Sequence, residues 1–166
     1  VALGLVRLSL APTAVVAKVK LRIMQPNLQQ DVKFNYAAKA EVMQKYLALS
    51  DRASGPQSTG VRDAQILIWP ESAFPFFLAR EADAMAQIAE LLPKGTVLMT
   101  GSVRAPDGPP GARVNRAYNS IYVIDHDGGV LSVYDKLHLV PFGEYLPFQG
   151  FMERLGFVQL TKVHGG

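Results

Sequence analysis

The chain has 166 residues, of which 49% are hydrophobic, so it can bury the core of one domain. Its 17 basic and 14 acidic residues give a net charge of only +3, and the basic residues are scattered without interleaved aromatics. This pattern predicts no binding to nucleic acid. The lack of cysteine excludes disulfides, thiolate metal sites and a cysteine nucleophile within these residues. The histidines are widely separated and lack a ligand spacing, so we predict neither a metal site nor a cofactor.

The segment before the first predicted strand, Val1–Ala17, is apolar. Arg7 and Pro12 interrupt it, and its apolar runs are far shorter than the roughly 20 residues that a membrane span needs. It has neither the basic start nor the small-residue cleavage site of a signal peptide. We predict that residues 1–17 are a connector from an upstream membrane region and that residues 18–166 form part of one domain. Whether the connector contacts lipid stays open at this point.

Periodicity predicts a strand and then a helix in the first third of the chain. Val19, Leu21 and Ile23 alternate with basic residues, which is the two-residue period of a strand with one buried face. Asn35 is a suitable N-cap for the helix, whose apolar residues follow at helical spacing: Val42, Met43, Tyr46 and Leu49. A polar loop with Gly and Pro at Ser50–Gly60 ends this unit.

The middle of the chain predicts two further strands with a helix between them. Ile66–Trp69 is a continuous apolar run, as expected of a strand covered on both faces. A second helix that stops at Pro93 is predicted from apolar residues at helical spacing: Met85, Ile88, Ala89 and Leu92. The sequence TVLMTGS that follows predicts another buried strand, so the order of elements is βαβαβ.

A β-hairpin is predicted after a loop rich in Gly, Pro and Arg at Arg104–Arg116. The segments YNSIYVID and VLSVYDK are joined by HDGG, in which Asp-Gly and Gly-Gly accept the positive φ of tight turns. Tyr118 and Asn119, at the start of the hairpin, are expected to support the neighbouring loop. Alternating strands and helices followed by a hairpin predict an α/β fold with a mixed sheet and helices packed on it.

Glu71 is the first candidate for chemistry, because it follows the apolar run Ile66–Trp69 and Pro70 directly. Proline lacks the N–H that would continue the ladder, so the following side chains turn toward the mouth of the sheet. Ligands gather at the carboxyl ends of strands in open α/β sheets, and this position favours a functional acid. The alternative is a structural acid that caps the next turn or pairs with an arginine.

A second candidate stretch, YDKLHLVPFGEYLPF, runs from Tyr134 to Phe148. It contains Lys136 just after the last predicted strand and Glu144 in a loop that its prolines make stiff. Two carboxylates and a lysine at strand ends predict an acid–base site with an electrostatic stabiliser. A structural ion pair between Lys136 and a carboxylate explains the same pattern equally well.

Four pieces of sequence in this order resemble the nitrilase (carbon-nitrogen hydrolase) superfamily: WPES, TGS, YNSIYVID and YDKLHLVPFGEYLP. The last piece is similar in form to one branch, the apolipoprotein N-acyltransferases of bacterial envelopes, and so is LRIMQPNLQQDVKFN near the start. The likeness runs from about Leu21 to Phe157, most of the chain. No single short piece is specific, whereas the ordered set is.

The resemblance implies an incomplete four-layer αββα sandwich with a glutamate–lysine–cysteine triad. At the matching motif positions, Glu71 would be the general base, Lys136 would stabilise the tetrahedral oxyanion, and Glu144 would hold the lysine or assist proton transfer. The cysteine nucleophile is expected beyond Gly166, so the chain alone is predicted to be inactive. One departure from the branch is Phe34, which stands where a tryptophan is usual.

Enzymes of this branch move an acyl chain from a phospholipid to the α-amino group of the lipidated N-terminal cysteine of an apolipoprotein, through a thioester. The resemblance therefore implies a phospholipid donor, an apolipoprotein acceptor and no cofactor. It also implies a catalytic domain on the periplasmic side of a bacterial inner membrane, held there by upstream helices. The aromatic segments AFPFFL and VPFGEYLPF are expected either to line the path of the acyl chain or to pack in the core.

Two alternatives to the acyltransferase remain. A soluble amidase of the nitrilase superfamily would hydrolyse a carbon-nitrogen bond with the same Glu71 and Lys136. A non-catalytic relative would use the same scaffold to bind a partner. The apolar connector and the HLVPFGE form favour the acyltransferase over the amidase, and a cysteine downstream would exclude the non-catalytic relative.

Overall fold

The structure is a computed structural model that describes residues 2–10, 16–29, 35–53, 55–56, 58–106, 117–141, 144 and 154. Five strands of these residues form one sheet in chain order: β1 (Leu21–Ile23), β2 (Ile66–Trp69), β3 (Val97–Arg104), β4 (Tyr118–Ile124) and β5 (Val130–Asp135). β1, β2 and β3 are parallel, whereas β4 and β5 add to β3 as an antiparallel hairpin. The α-helices of the described residues are α1 (Ala2–Leu10), α2 (Lys39–Asp51) and α3 (Ala82–Leu91). The predicted α/β fold with a mixed sheet is confirmed.

The core lies between one face of the sheet and the helices α2 and α3. Alternate strand residues point into it, and its members are Val42, Met43, Tyr46, Leu67, Trp69, Ala84, Ile88, Leu98, Tyr122 and Ile124. The rings of Tyr46 and Trp69 lie 4.8 Å apart between centroids, and Trp69 Nε1 donates a hydrogen bond of 2.9 Å to Ser50 Oγ. The indole N–H therefore keeps a partner although the ring is buried.

The aromatic segment AFPFFL belongs to this core. Ala73, Phe74, Phe76 and Leu78 are buried, and the Phe74 ring packs 5.6 Å from Tyr46 and 5.7 Å from Trp69. Of the two alternatives predicted for this segment, these residues show packing in the core, because the chain folds back toward α2 after Glu71. Phe34 lies outside the described residues. So does the segment VPFGEYLPF, except for Val140, Pro141 and Glu144.

The opposite face of the sheet is apolar, and in the described part of the chain no second layer covers it. Leu21 and Ile23 are 54% and 68% exposed, so the predicted buried face of β1 is wrong for these residues. Arg22 turns to the helix side instead, where its Nη2 donates to the carbonyl oxygens of Leu49 and Arg52. In β2, Leu67 and Trp69 are buried while the residues facing the other way are half-buried.

The N-terminal segments have their own local structure. Asn35 Oδ1 accepts from Ala37 N at 3.0 Å and caps a short 3₁₀ turn, Tyr36–Ala38, that leads into α2. The described side chains of α1 are all exposed, including four leucines. Among the residues that the structure describes, no helix is long and apolar enough to cross a bilayer.

Candidate active site

The turn after β2 carries Glu71 to the carboxyl end of the parallel strands, as predicted. Pro70 O accepts a hydrogen bond of 3.2 Å from Gly101 N, and Ala73 N donates one of 3.0 Å to Gly101 O. Both bonds tie the turn to β3. Ser72 has a φ of 48°, a left-handed conformation that bends the chain back toward the core.

Gly101 is required by this close approach of two backbones. A Cβ at position 101 would lie 2.6 Å from Glu71 Cα and 2.8 Å from Pro70 O, both far inside van der Waals contact. Only glycine lets β3 and the turn lie this close, which is one of the uses of glycine in a strand. The glycine of the TGS piece therefore sets the position of Glu71.

We expect Gly101→Ala to displace the Glu71 turn. Overpacking of this kind costs about 1–3 kcal/mol in the free energy of unfolding, and misplacing a catalytic group by 1 Å can cost about 10²-fold in rate. Denaturant unfolding and a rate assay of the full-length protein measure the two effects. Gly55→Ala is the matched control, because a Cβ there meets no atom within 4 Å. Equal behaviour of the two variants would contradict the steric account.

The hairpin brings two more polar residues to Glu71. Asn119 lies near the start of β4, and Lys136 follows the last residue of β5. Lys136 N donates to Asn119 O at 2.8 Å, which extends the antiparallel ladder by one bond beyond the Ser120–Asp135 pair. The ladder therefore places both side chains beside the Glu71 turn.

Lys136 lies between two carboxylates. Its Nζ is 3.2 Å from Glu71 Oε1 and 2.9 Å from Glu144 Oε1. Asn119 Nδ2 donates to Glu71 Oε1, and Val140 N donates to Glu144 Oε2 at 2.7 Å. All three predicted site residues thus come together in one polar cluster, and each carboxylate is held by a second donor besides the lysine.

The two carboxylates differ in their exposure. The side chain of Glu71 is 62% exposed, against 30% for Lys136 and 17% for Glu144. Glu71 is therefore open to a reacting group, whereas Glu144 lies deeper against the loop. An acid that is held deep and bonded to a backbone N–H is suited to fixing the lysine, and an acid at the opening is suited to exchanging a proton with a ligand.

Lys136 and Glu144 stabilise the charged form of each other's side chain. Hydrogen bonding to Glu144 and then to Glu71 raises the pKa of Lys136, against a smaller lowering by desolvation. Desolvation acts to raise the pKa of Glu144, but hydrogen bonds from Lys136, Val140 N and Asn119, with the positive charge of Lys136, together lower that pKa. At neutral pH the cluster therefore holds an ammonium beside an ionised Glu144.

A cavity of about 340 Å³ opens beside this cluster on the uncovered face of the sheet. Apolar side chains of Ile68, Met99, Ile121 and Tyr134 contribute to its walls, with Glu71, Asn119 and Lys136. A concave apolar pocket with a few convergent polar groups is the usual form of a small-molecule site.

Asn119 is the member of this polar cluster that sequence reasoning missed, since it was expected only to support a loop. It donates to Glu71 and also lowers the pKa of Glu144 through a weaker hydrogen bond. The available signal was an amide at the start of an otherwise apolar strand, opposite a candidate acid. Its partner could be identified only once the strand order was known.

The fold and this cluster together define a member of the nitrilase superfamily. Residues 18–162 match the model of the Carbon-nitrogen hydrolase family, and the chain belongs to that family. A crystal structure of an N-terminal amidase with an Asn-Glu-Ala peptide is similar with a TM-score of 0.51. It covers 74% of this chain and 29% of that one at 16% identity, so this likeness concerns the fold alone. The predicted nitrilase-like fold is confirmed.

Curated relatives indicate which branch of the family this chain resembles. An apolipoprotein N-acyltransferase of Bradyrhizobium diazoefficiens is 81% identical over 163 residues, covering 98% of this chain and 30% of the relative. An apolipoprotein N-acyltransferase of Rhodopseudomonas palustris is 76% identical over the same shares. The predicted resemblance to this branch is confirmed. The chain spans about 30% of the length of these relatives.

Proposed function

We propose that the protein carrying this chain is an envelope N-acyltransferase. The acyl donor would be a phospholipid, and the acceptor would be the α-amino group of the lipidated N-terminal cysteine of an apolipoprotein. The observation that supports this function most is the Lys136 ammonium fixed between Glu71 and Glu144 beside an apolar cavity. The identity to curated apolipoprotein N-acyltransferases supports the acyltransferase over an amidase.

The first half of the reaction forms a thioester. A cysteine supplied by another part of the protein is the nucleophile, since these 166 residues contain none. Glu71 takes the proton of its thiol as the sulfur attacks the ester carbonyl carbon of the phospholipid. Negative charge develops on the carbonyl oxygen, where the ammonium of Lys136 stabilises it. The C–O bond then breaks, and the lysophospholipid oxygen takes the proton from Glu71.

The second half transfers the acyl chain to the apolipoprotein. The α-amino nitrogen attacks the thioester carbon, Glu71 accepts the proton that the nitrogen releases, and Lys136 again stabilises the oxyanion. The C–S bond breaks, and the sulfur leaves as a thiolate that recovers a proton from Glu71. An amide results, and the enzyme returns to its starting state.

Glu144 and Asn119 act as positioning residues in this mechanism. Glu144 holds the lysine from the side opposite to Glu71, and Asn119 orients the Glu71 carboxylate through one oxygen. Lys136 Nζ and Asn119 Nδ2 both donate to Oε1 of Glu71, and together they fix the direction of the carboxylate to which we assign proton transfer.

The location of the reaction follows from its substrates. A phospholipid donor requires the site to lie at a membrane surface, and lipoprotein acceptors place it on the periplasmic side of the bacterial inner membrane. We propose that upstream helices anchor the domain there. Protease accessibility in spheroplasts tests this orientation.

The function is tested with the purified full-length protein. Phospholipid vesicles are incubated with a synthetic peptide whose N-terminal cysteine is lipidated, and mass spectrometry follows the mass of the peptide. The expected result is a gain of one acyl chain in amide linkage at the α-amino group. Hydrolysis of simple amides without any acylation of the peptide would favour the amidase instead.

Glu144→Gln is expected to shift the alkaline limit of the reaction to lower pH. Glu144 raises the pKa of Lys136, so the lysine of the variant loses its proton, and with it the charge that stabilises the oxyanion, at a lower pH than in the wild type. The pH dependence of kcat measures this shift. The control is Glu41→Gln, which replaces an exposed glutamate on α2 and should leave the pH dependence of kcat unchanged. An unchanged alkaline limit in Glu144→Gln would contradict the assigned role.

A further inference from the structure

A second polar cluster lies on the helix side of the sheet, beneath the candidate site. Arg104 at the end of β3 donates to both oxygens of Asp135, from Nε at 2.9 Å and from Nη2 at 2.5 Å. Ser120 Oγ donates to Asp135 Oδ1 at 2.6 Å, and the Arg104 guanidinium lies 4.7 Å from the ring centroid of Tyr118. The cluster therefore joins the ends of three strands.

Two members of this cluster are adjacent to the candidate site along the chain. Asp135, the last residue of β5, precedes Lys136, and Ser120 follows Asn119 on β4. Successive residues of a strand point to opposite faces, so fixing one residue fixes the direction of the next. The Ser120–Asp135 pair is also the rung just before the Lys136–Asn119 hydrogen bond.

We propose that Arg104, Asp135 and Ser120 form a positioning cluster that sets the place of Lys136 on the opposite face of the sheet. A bidentate arginine–carboxylate pair fixes both distance and direction, which a single hydrogen bond does not. The end of β5 needs such fixing, because in the described residues β5 is an edge strand whose outer side has no partner.

The cluster is built for a fixed geometry. Ser120 is buried, and the side chains of Arg104 and Asp135 are only 23% and 21% exposed. Hydrogen bonding to Arg104, and then to Ser120, lowers the pKa of Asp135, so the carboxylate stays ionised at neutral pH. Arg104 is held in turn by Tyr118, so the arginine is itself anchored.

The test replaces Arg104 by glutamine in the full-length protein and measures the pKa of Lys136. Trace acetylation over a range of pH, with Lys136 quantified by mass spectrometry, gives that pKa without any assay of activity. Removal of a nearby positive charge would raise the pKa of Lys136. A lysine that drifts away from Glu144 and Glu71 instead loses the interactions that raise its pKa. We expect the pKa of Lys136 to fall in Arg104→Gln.

The effect on the reaction rests on the proposed function. We expect kcat to fall by about 10- to 10²-fold with KM unchanged, as for a misplaced catalytic group. Ser120→Ala alters no charge, and it should lower the pKa of Lys136 by a smaller amount than Arg104→Gln does. It takes the place of Arg104→Gln in the test if that variant does not fold. If the wild type transfers no acyl chain, the labelling still decides the role of the cluster, and only the proposed function fails.

The matched control is Lys39→Gln. Lys39 forms an ion pair with Glu81, and its side chain is 25% exposed, close to the exposure of Arg104. Its removal also takes away one positive charge but leaves β4 and β5 untouched, so the pKa of Lys136 and kcat should stay at their wild-type values. A folded Arg104→Gln protein with an unchanged or raised pKa of Lys136 would overturn the proposal.

Discussion

Lys136→Met is expected to lower the rate of thioester formation by about 10²–10³-fold, the usual cost of removing one group that stabilises an oxyanion. Methionine is an unbranched side chain of similar length that lacks the ammonium. The side chain is partly exposed, so the domain should fold. Single-turnover reaction of the full-length protein with phospholipid, followed by intact mass, measures the rate.

The control for this variant is Lys45→Met, an exposed lysine on α2. It should react at the wild-type rate. A Lys136→Met enzyme that keeps its rate within a factor of about two would mean that the lysine is only a structural ion-pair partner, the alternative that the sequence left open.

Glu71→Gln is expected to lower the same rate by about 10²–10⁴-fold at neutral pH, the range for loss of a general base. Glutamine keeps the size of the side chain, and its amide oxygen can still accept from Asn119. A free thiol has a pKa of about 8.5, so solvent itself ionises the nucleophile at higher pH. Lys136 keeps its charge there because the ordinary pKa of a lysine lies above this range, and because the hydrogen bond to Glu144, the largest cause that raises its pKa, is retained.

The defect of Glu71→Gln should therefore shrink as the pH rises from 7 to 9, which a purely structural loss would not do. Rates across this range, compared with the wild type, measure the effect. Glu90→Gln, an exposed acid on α3, should match the wild type throughout. A defect of constant size at every pH would exclude the role of Glu71 as a base.

The sequence predicted Glu71 and Lys136 as candidates because each follows a local signal for the end of a strand. Glu71 comes after an apolar run and a proline, and Lys136 comes after a hairpin with a clear turn. These signals fix where a strand ends, and strand ends are where an α/β sheet collects its functional groups.

The features that were missed depend on contacts between distant parts of the chain. The hydrogen bond of Asn119 to Glu71 and the approach of Gly101 to the same turn both cross from one strand to another. The exposure of Leu21 and Ile23 has a similar origin, because alternation shows that a strand has two faces but not which of them another layer covers.

The bonds that hold the candidate site also determine when it can form. Lys136 and Glu71 are 65 positions apart in the chain, and Asn119 and Glu71 are 48 apart. Long loops must close before such contacts exist, and non-local pairings of this kind fold slowly. A nascent or partly folded chain therefore has no assembled charge cluster, and the cluster forms only when the hairpin has docked on the parallel strands.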